Sequence, residues 1–207
     1  MVHELRLTLV TDRAQTRGRE LVTVVGECLA AGLPAVQVRE KDLGAGDLAF
    51  VCRRIRALTL DAQALLVVND RVDVALAVGA DGVQRTHSSL DLRDIRAIAE
   101  KRLRIGASVH SLEEAVEAEV KGADWVFFGP VYDTPSKRLS GPPQGLDRLG
   151  RVVAALRIPV IAIGGITPAR VGEVLDAGAA GVAAISAILA ASSPADATRR
   201  FMEALAR

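Results

Sequence analysis

Short apolar runs rich in β-branched residues alternate with longer stretches whose apolar positions recur at helical spacing, and this continues along all 207 residues. The short runs, expected as strands, are 5–10 (LRLTLV), 35–38, 64–68, 81–84, 104–109, 124–128, 160–163 and 180–184. Between and after them, helices are expected over 20–31, 47–60, 72–78, 90–102, 111–121, 146–156, 170–177 and 196–206. The strands are mostly apolar without alternation, as befits strands covered on both faces. Ser111 with Glu114 reads as a capping box. Four joints, AGLPAVQV, GADGVQ, GADWVFF and GAAGVAA, repeat one device. In each a glycine stops a helix, one or two small residues follow, and a buried strand begins. Eight strands alternating with eight helices predict an α/β fold, a single-domain (β/α)8 TIM barrel over 1–207, with an open doubly wound sheet as its rival.

A barrel gathers its chemistry at the C-terminal ends of its strands. The seventh run ends in IPVIAIGGITPAR, residues 158–170, where Gly164-Gly165 precede Thr167-Pro168, an expected N-cap and first helical residue. Glycines allow close backbone approach, and a fresh helix N-terminus offers unpaired N–H groups, so a phosphate site is expected there. A tight turn without a ligand is the alternative. After the second strand, Gln37, Arg39 and Lys41 alternate with Val38 and Glu40 and leave one face together. Two cations aimed into a barrel mouth require an anion, unless Glu40 and other carboxylates neutralise them in a rim network. Asn69-Asp70 closes the third strand. Asp70 suits Mg²⁺ chemistry, which favours carboxylate oxygen and substrate phosphates, although a helix N-cap explains it too. The long segment after the sixth strand carries Thr134, Ser136 and Lys137 among prolines and reads as a lid. His110 reads as a rim histidine with its hydrogen bonds met, and His87 lies among Thr86, Ser88 and Ser89.

Composition narrows the partners. Lys+Arg 26 against Asp+Glu 25 leaves a net charge of +1, without the basic excess that nucleic acid or an anionic membrane demands. Aromatic residues are 3%, too few for a base-stacking platform. No apolar run approaches the ~18 residues that cross a bilayer. Two isolated cysteines without a signal peptide point to a reduced, cytoplasmic setting. Small phosphorylated substrates fit best, and a homo-oligomer stays open.

Taken in order, VQVREK, VVND, GASVHS, FFGPVYDTPSK, IAIGGIT and AAISAI resemble the thiamine-phosphate synthase and thiazole tautomerase superfamily over essentially the whole chain. The resemblance implies a transferase of thiamine biosynthesis, joining a hydroxymethylpyrimidine diphosphate to a thiazole phosphate and releasing pyrophosphate with Mg²⁺. By resemblance, Gln37, Arg39, Lys41, Asn69 and Lys137 hold the diphosphate, with Asp70 on the metal and Ser108 nearby. Thr134 and Ser136 border the thiazole phosphate, whose other contacts are Gly165 and the backbone of Ile185-Ser186. Arg39, Lys41, Ser108 and Lys137 are the expected catalytic residues. Two positions depart from the pattern. Ser89 stands where the synthases usually carry a second metal-binding aspartate. Pro130 stands where the tautomerases carry a catalytic histidine, and it cannot transfer a proton. A tautomerase-like isomerase of thiazole carboxylate phosphate, or a non-catalytic thiamine or thiazole phosphate binder, is the alternative.

Overall fold

The computed structural model describes residues 3–134 and 142–206. Eight parallel strands close on themselves in chain order, which excludes the open sheet. They are β1 (Leu7–Val10), β2 (Ala35–Val38), β3 (Leu65–Asn69), β4 (Gly82–Arg85), β5 (Arg104–Val109), β6 (Trp125–Phe128), β7 (Val160–Ile163) and β8 (Gly181–Ala184). The helices outside are α1 (Leu21–Ala30), α2 (Ala45–Asp61), α3 (Val72–Ala77), α4 (Leu92–Ala99), α5 (Leu112–Val120), α6 (Gly145–Ala155), α7 (Val171–Asp176), α8 (Ser186–Leu189) and α9 (Pro194–Leu205). The four-residue α8 is additional to the eight helices expected, because too short a segment leaves no periodic pattern.

Two apolar clusters follow from the strands being covered on both faces. The larger joins the outer strand face to the helices. The smaller fills the barrel itself with Leu5, Val10, Ala35, Leu65, Val67, Trp125, Phe127, Ile161 and Ala183. Leu5 belongs to a 3₁₀ turn, His3–Leu5, rather than to the expected first strand. It closes the barrel floor, and there a Cβ on Gly181 would lie 2.5 Å from its carbonyl oxygen.

The repeated GAD joints prove structural. The carboxylate of Asp81 accepts from the Leu66 backbone N–H at 2.8 Å and from Arg56 at 2.7 Å. The Asp124 carboxylate accepts from the Ile105 backbone N–H at 2.6 Å and from Arg96 at 2.7 Å. Each aspartate thus ties the start of the preceding strand to an outer helix. These ties lie at the strands' N-terminal ends, the face of a barrel that serves stability.

Three local expectations are corrected. Ser111 does accept from the Glu114 N–H, but the Glu114 carboxylate reaches the His110 N–H at 2.7 Å instead of completing the box on Ser111. Pro168 opens a 3₁₀ turn, Pro168–Arg170, with Thr167 as a cap whose side chain makes no capping bond; α7 starts only at Val171. The fourth helix stops at Ala99, because Glu100 adopts a left-handed φ of 53°.

Candidate active site

The strands end around a cavity of about 340 Å³, within the range of small-molecule sites. Its floor is apolar on one side, from Val10, Phe127, Ile163 and Ala183, and polar on the other, from Gln37, Asn69 and Ser108. Of the expected residues, Gln37, Arg39, Lys41, Asn69, Ser108, Thr134, Gly165, Ile185 and Ser186 all line it. Asp70 follows Asn69 but does not line the cavity. Its φ is 67°, and its backbone N–H donates to the Gln84 carbonyl at 2.9 Å. Ser136 and Lys137 lie outside the described residues.

Gln37 is 3% exposed. Its Nε2 donates to Asn69 Oδ1 at 3.0 Å, while its Oε1 is buried without a partner among the described residues. An orphaned buried acceptor carries a desolvation cost that a donor in the cavity removes. Gln37 therefore presents an acceptor, which suits an N–H of a ligand better than the oxygens of a diphosphate.

The rim-network alternative for Arg39 and Lys41 fails at Glu40, the carboxylate between them. Glu40 accepts from Thr11 Oγ1 at 2.6 Å, from the Arg13 N–H at 3.1 Å and from Arg13 Nη1 at 3.2 Å. Thr11 in turn accepts from the Arg39 N–H at 2.9 Å, which pins the chain as it leaves β2. Nη1 and Nη2 of Arg13 also hold Asp42 and keep its carboxyl below the usual range. Among the described residues no carboxylate pairs with Arg39 or Lys41, so the positive charge at the mouth is left for a ligand.

Across the cavity lies a second arrangement, built of backbone. Gly164 and Gly165 have φ of 100° and 67°, a region that disfavours side chains. The need for glycine here comes from the protein rather than from a ligand. A Cβ on Gly164 would lie 2.6 Å from Pro130 Cα, and one on Gly165 would lie 2.7 Å from the Asp133 carbonyl oxygen. The segment after β6 presses against this turn, with Val131 N–H donating to Ile163 O at 2.9 Å and Tyr132 N–H to Gly164 O at 3.0 Å. At its far end, Gln144 and Gly145 N–H groups return to the Pro130 and Val131 carbonyls at 2.7 and 3.0 Å. Among the described residues, the N–H groups of Gly165, Ile166, Ser186 and Ala187 have no hydrogen-bond partner, and all four residues line the cavity. Backbone N–H groups without partners among the described residues, placed after strands seven and eight, suit a phosphate.

Residues that sequence reasoning missed support this turn from outside. Arg170 Nη1 donates to the Gly165 carbonyl at 2.6 Å and its guanidinium lies 4.3 Å from the centroid of the Tyr132 ring. Tyr132 donates to Glu173 at 2.6 Å, and burial together with that carboxylate pushes its phenol up to about 12. The pattern marked Arg170 only as a helix start, so no sequence signal distinguished it.

The histidines and Ser89 are also placed. Nδ1 of His110 bonds the Gly129 carbonyl, so the ring is held at the rim as expected. His87 lines the cavity between Thr86 and Ser88. Ser89 Oγ accepts from the Thr86 N–H at 2.8 Å and serves that turn instead of the cavity.

Comparison with known proteins agrees with the resemblance. The family model described as thiamine monophosphate synthase matches residues 7–188. A Geobacter sulfurreducens protein provisionally named a thiamine-phosphate synthase is 45% identical, over 98% of this chain and 95% of its own. The thiamine-phosphate synthase of Methanoculleus marisnigri is 42% identical over 97% of this chain and 95% of its own. A solved structure of thiamine phosphate pyrophosphorylase from Pyrococcus furiosus superposes with a TM-score of 0.92 at 40% identity, covering 99% of this chain and 97% of that one.

Proposed function

The chain belongs to the thiamine monophosphate synthase family, and from that premise we propose how its barrel mouth couples a hydroxymethylpyrimidine diphosphate to a thiazole phosphate in thiamine biosynthesis. One observation carries the assignment of sides. Among the described residues, the cavity has side-chain cations without carboxylate partners at one rim and backbone N–H groups without partners at the other. Two anion sites of different make suit two differently phosphorylated substrates.

In this reading Arg39 and Lys41 hold the diphosphate, Arg39 as a planar fork and Lys41 as a point charge. Gln37 Oε1 accepts an N–H of the pyrimidine, and Asn69, whose oxygen Gln37 already occupies, offers its amide N–H₂. Ser108 stands beside them, and Lys137 joins the diphosphate side by resemblance. The thiazole phosphate sits on the N–H groups of Gly165, Ile166, Ser186 and Ala187, bordered by Thr134 and Ser136. The bond between the pyrimidine methylene carbon and the diphosphate oxygen breaks with its electron pair leaving on pyrophosphate. The thiazole nitrogen then supplies the pair for the new C–N bond. Charge placed on the leaving group is the main lever for such a step. The apolar floor from Phe127 and Ile163 keeps water from the reacting carbon.

Asp70 stands next to Asn69 but outside the cavity lining, so it would meet a Mg²⁺ ion only together with substrate phosphates and water. Mg²⁺ commonly takes one or two carboxylates with phosphate oxygens and water. Among the described residues no group of three carboxylate, histidine or cysteine ligands exists. Ser89 contributes no second carboxylate. When bound, the ion neutralises charge on the departing pyrophosphate.

The decisive assay incubates both substrates across Mg²⁺ concentrations and follows pyrophosphate release. Release that needs both substrates supports the reading. No release, together with exchange at the thiazole C2 position in D₂O, would support an isomerase, and tight thiamine phosphate binding without either would support a binder. Among the described residues no helix is long and apolar enough to cross a membrane. A cytoplasmic location, in keeping with the free Cys28 and Cys52, is part of the proposal.

A further inference from the structure

Inside the barrel a chain of hydrogen bonds runs from the floor to the cavity. Trp125, the sequence's single tryptophan, is buried, and its ring fits because Gly82 and Gly106 carry no side chains. A Cβ on Gly106 would lie 2.3 Å from the indole. The indole Nε1–H donates to Gln84 Oε1 at 3.0 Å. An indole nitrogen can only donate, so it must face the oxygen of that amide. The orientation of Gln84 is thereby settled, and its Nε2 donates to Ser108 Oγ at 3.1 Å. Gln84 is fully buried and does not reach the cavity, whereas Ser108 lines it.

We infer that Gln84 is a positioning residue that makes Ser108 a hydrogen-bond donor toward a diphosphate oxygen of the substrate. A hydroxyl has one proton and two lone pairs; one lone pair taken by Gln84 leaves the proton free for the cavity. Polarity matters here because an anionic oxygen accepts a proton and repels a lone pair. Trp125 contributes by preventing the amide from turning over. The inference rests on the reading of Ser108 as part of the diphosphate pocket.

Three substitutions, singly and combined, test it. Ser108→Ala should raise KM for the pyrimidine diphosphate about tenfold, the size of one hydrogen bond to a charged group. Gln84→Glu, assayed near pH 9, still accepts from Trp125 but also accepts from Ser108 and draws its proton away from the cavity. It should raise KM by a similar factor, and the double variant should be no worse than either single one. The lone indole N–H resonance reports whether Trp125 keeps its partner. Unchanged kinetics in Ser108→Ala would remove Ser108 from the pocket and the inference with it. Impaired Ser108→Ala beside normal Gln84→Glu would overturn the inference alone, as would losses that multiply in the double variant. Gln84→Met, of similar length without polar atoms, carries the same comparison where the carboxylate prevents folding. Its KM should rise several-fold, and it should add nothing in the Ser108→Ala background.

Discussion

Arg170, which does not line the cavity, holds Gly165 by its carbonyl at 2.6 Å. That bond fixes the peptide plane whose neighbouring N–H groups form the phosphate side. Arg170→Ala should weaken thiazole phosphate binding by about 1.5–3 kcal/mol, the worth of one hydrogen bond to a charged group. KM for that substrate should rise while KM for the pyrimidine diphosphate stays constant. Equal changes in both would place the effect elsewhere.

Gly165→Ala tests the same turn from within. Its Cβ would lie 2.7 Å from backbone oxygen and 2.8 Å from Tyr132 Cβ, at a left-handed φ. Backbone cannot yield as a flexible side-chain end does, so the turn or the Tyr132 segment must move. The expected outcome is loss of thiazole phosphate binding in titration calorimetry, with a lower Tm.

Lys41→Ala should weaken diphosphate binding by about 2 kcal/mol if the lysine meets an anion shielded by the cavity wall. The loss should shrink as salt rises, because Lys41 is exposed. An unchanged Kd for pyrophosphate at low salt would remove Lys41 from the site.

Tyr132 is the sequence's single tyrosine, so phenolate absorbance reports it alone. Its phenol is raised from 10.0 to about 12, by burial first and by Glu173 second. A raised phenol favours the protonated form in the folded chain. Its contribution to stability is therefore complete below the unfolded value near 10 and is lost as pH rises through about 12. The native titration midpoint should lie near 12, and Glu173→Gln should lower it.

Asp81→Ala strips the Leu66 N–H and Arg56 of their shared partner at the barrel floor. Stability should fall by about 2 kcal/mol, or roughly 2–4 °C in Tm for each kcal/mol. Both KM values should stay unchanged, since the tie lies at the opposite end of the strands from the cavity.

The sequence by itself determined the barrel, because strands covered on both faces read as unbroken apolar runs and the GAD joints repeat. It also placed Gln37, Arg39, Lys41, Asn69, Ser108 and Gly165 around one opening, since a barrel brings its strand ends together. Only the tertiary structure decided what each of them has to spare. Glu40 sits between Arg39 and Lys41 in the chain, yet it is spent on Thr11 and Arg13. Among the described residues Gln37 keeps a buried oxygen without a partner, Ser108 accepts from Gln84, and Gly165 is demanded by Tyr132 and Asp133. Such assignments depend on hydrogen-bond partners some 20 to 40 residues away in the chain, and local pattern carries no record of contacts at that range.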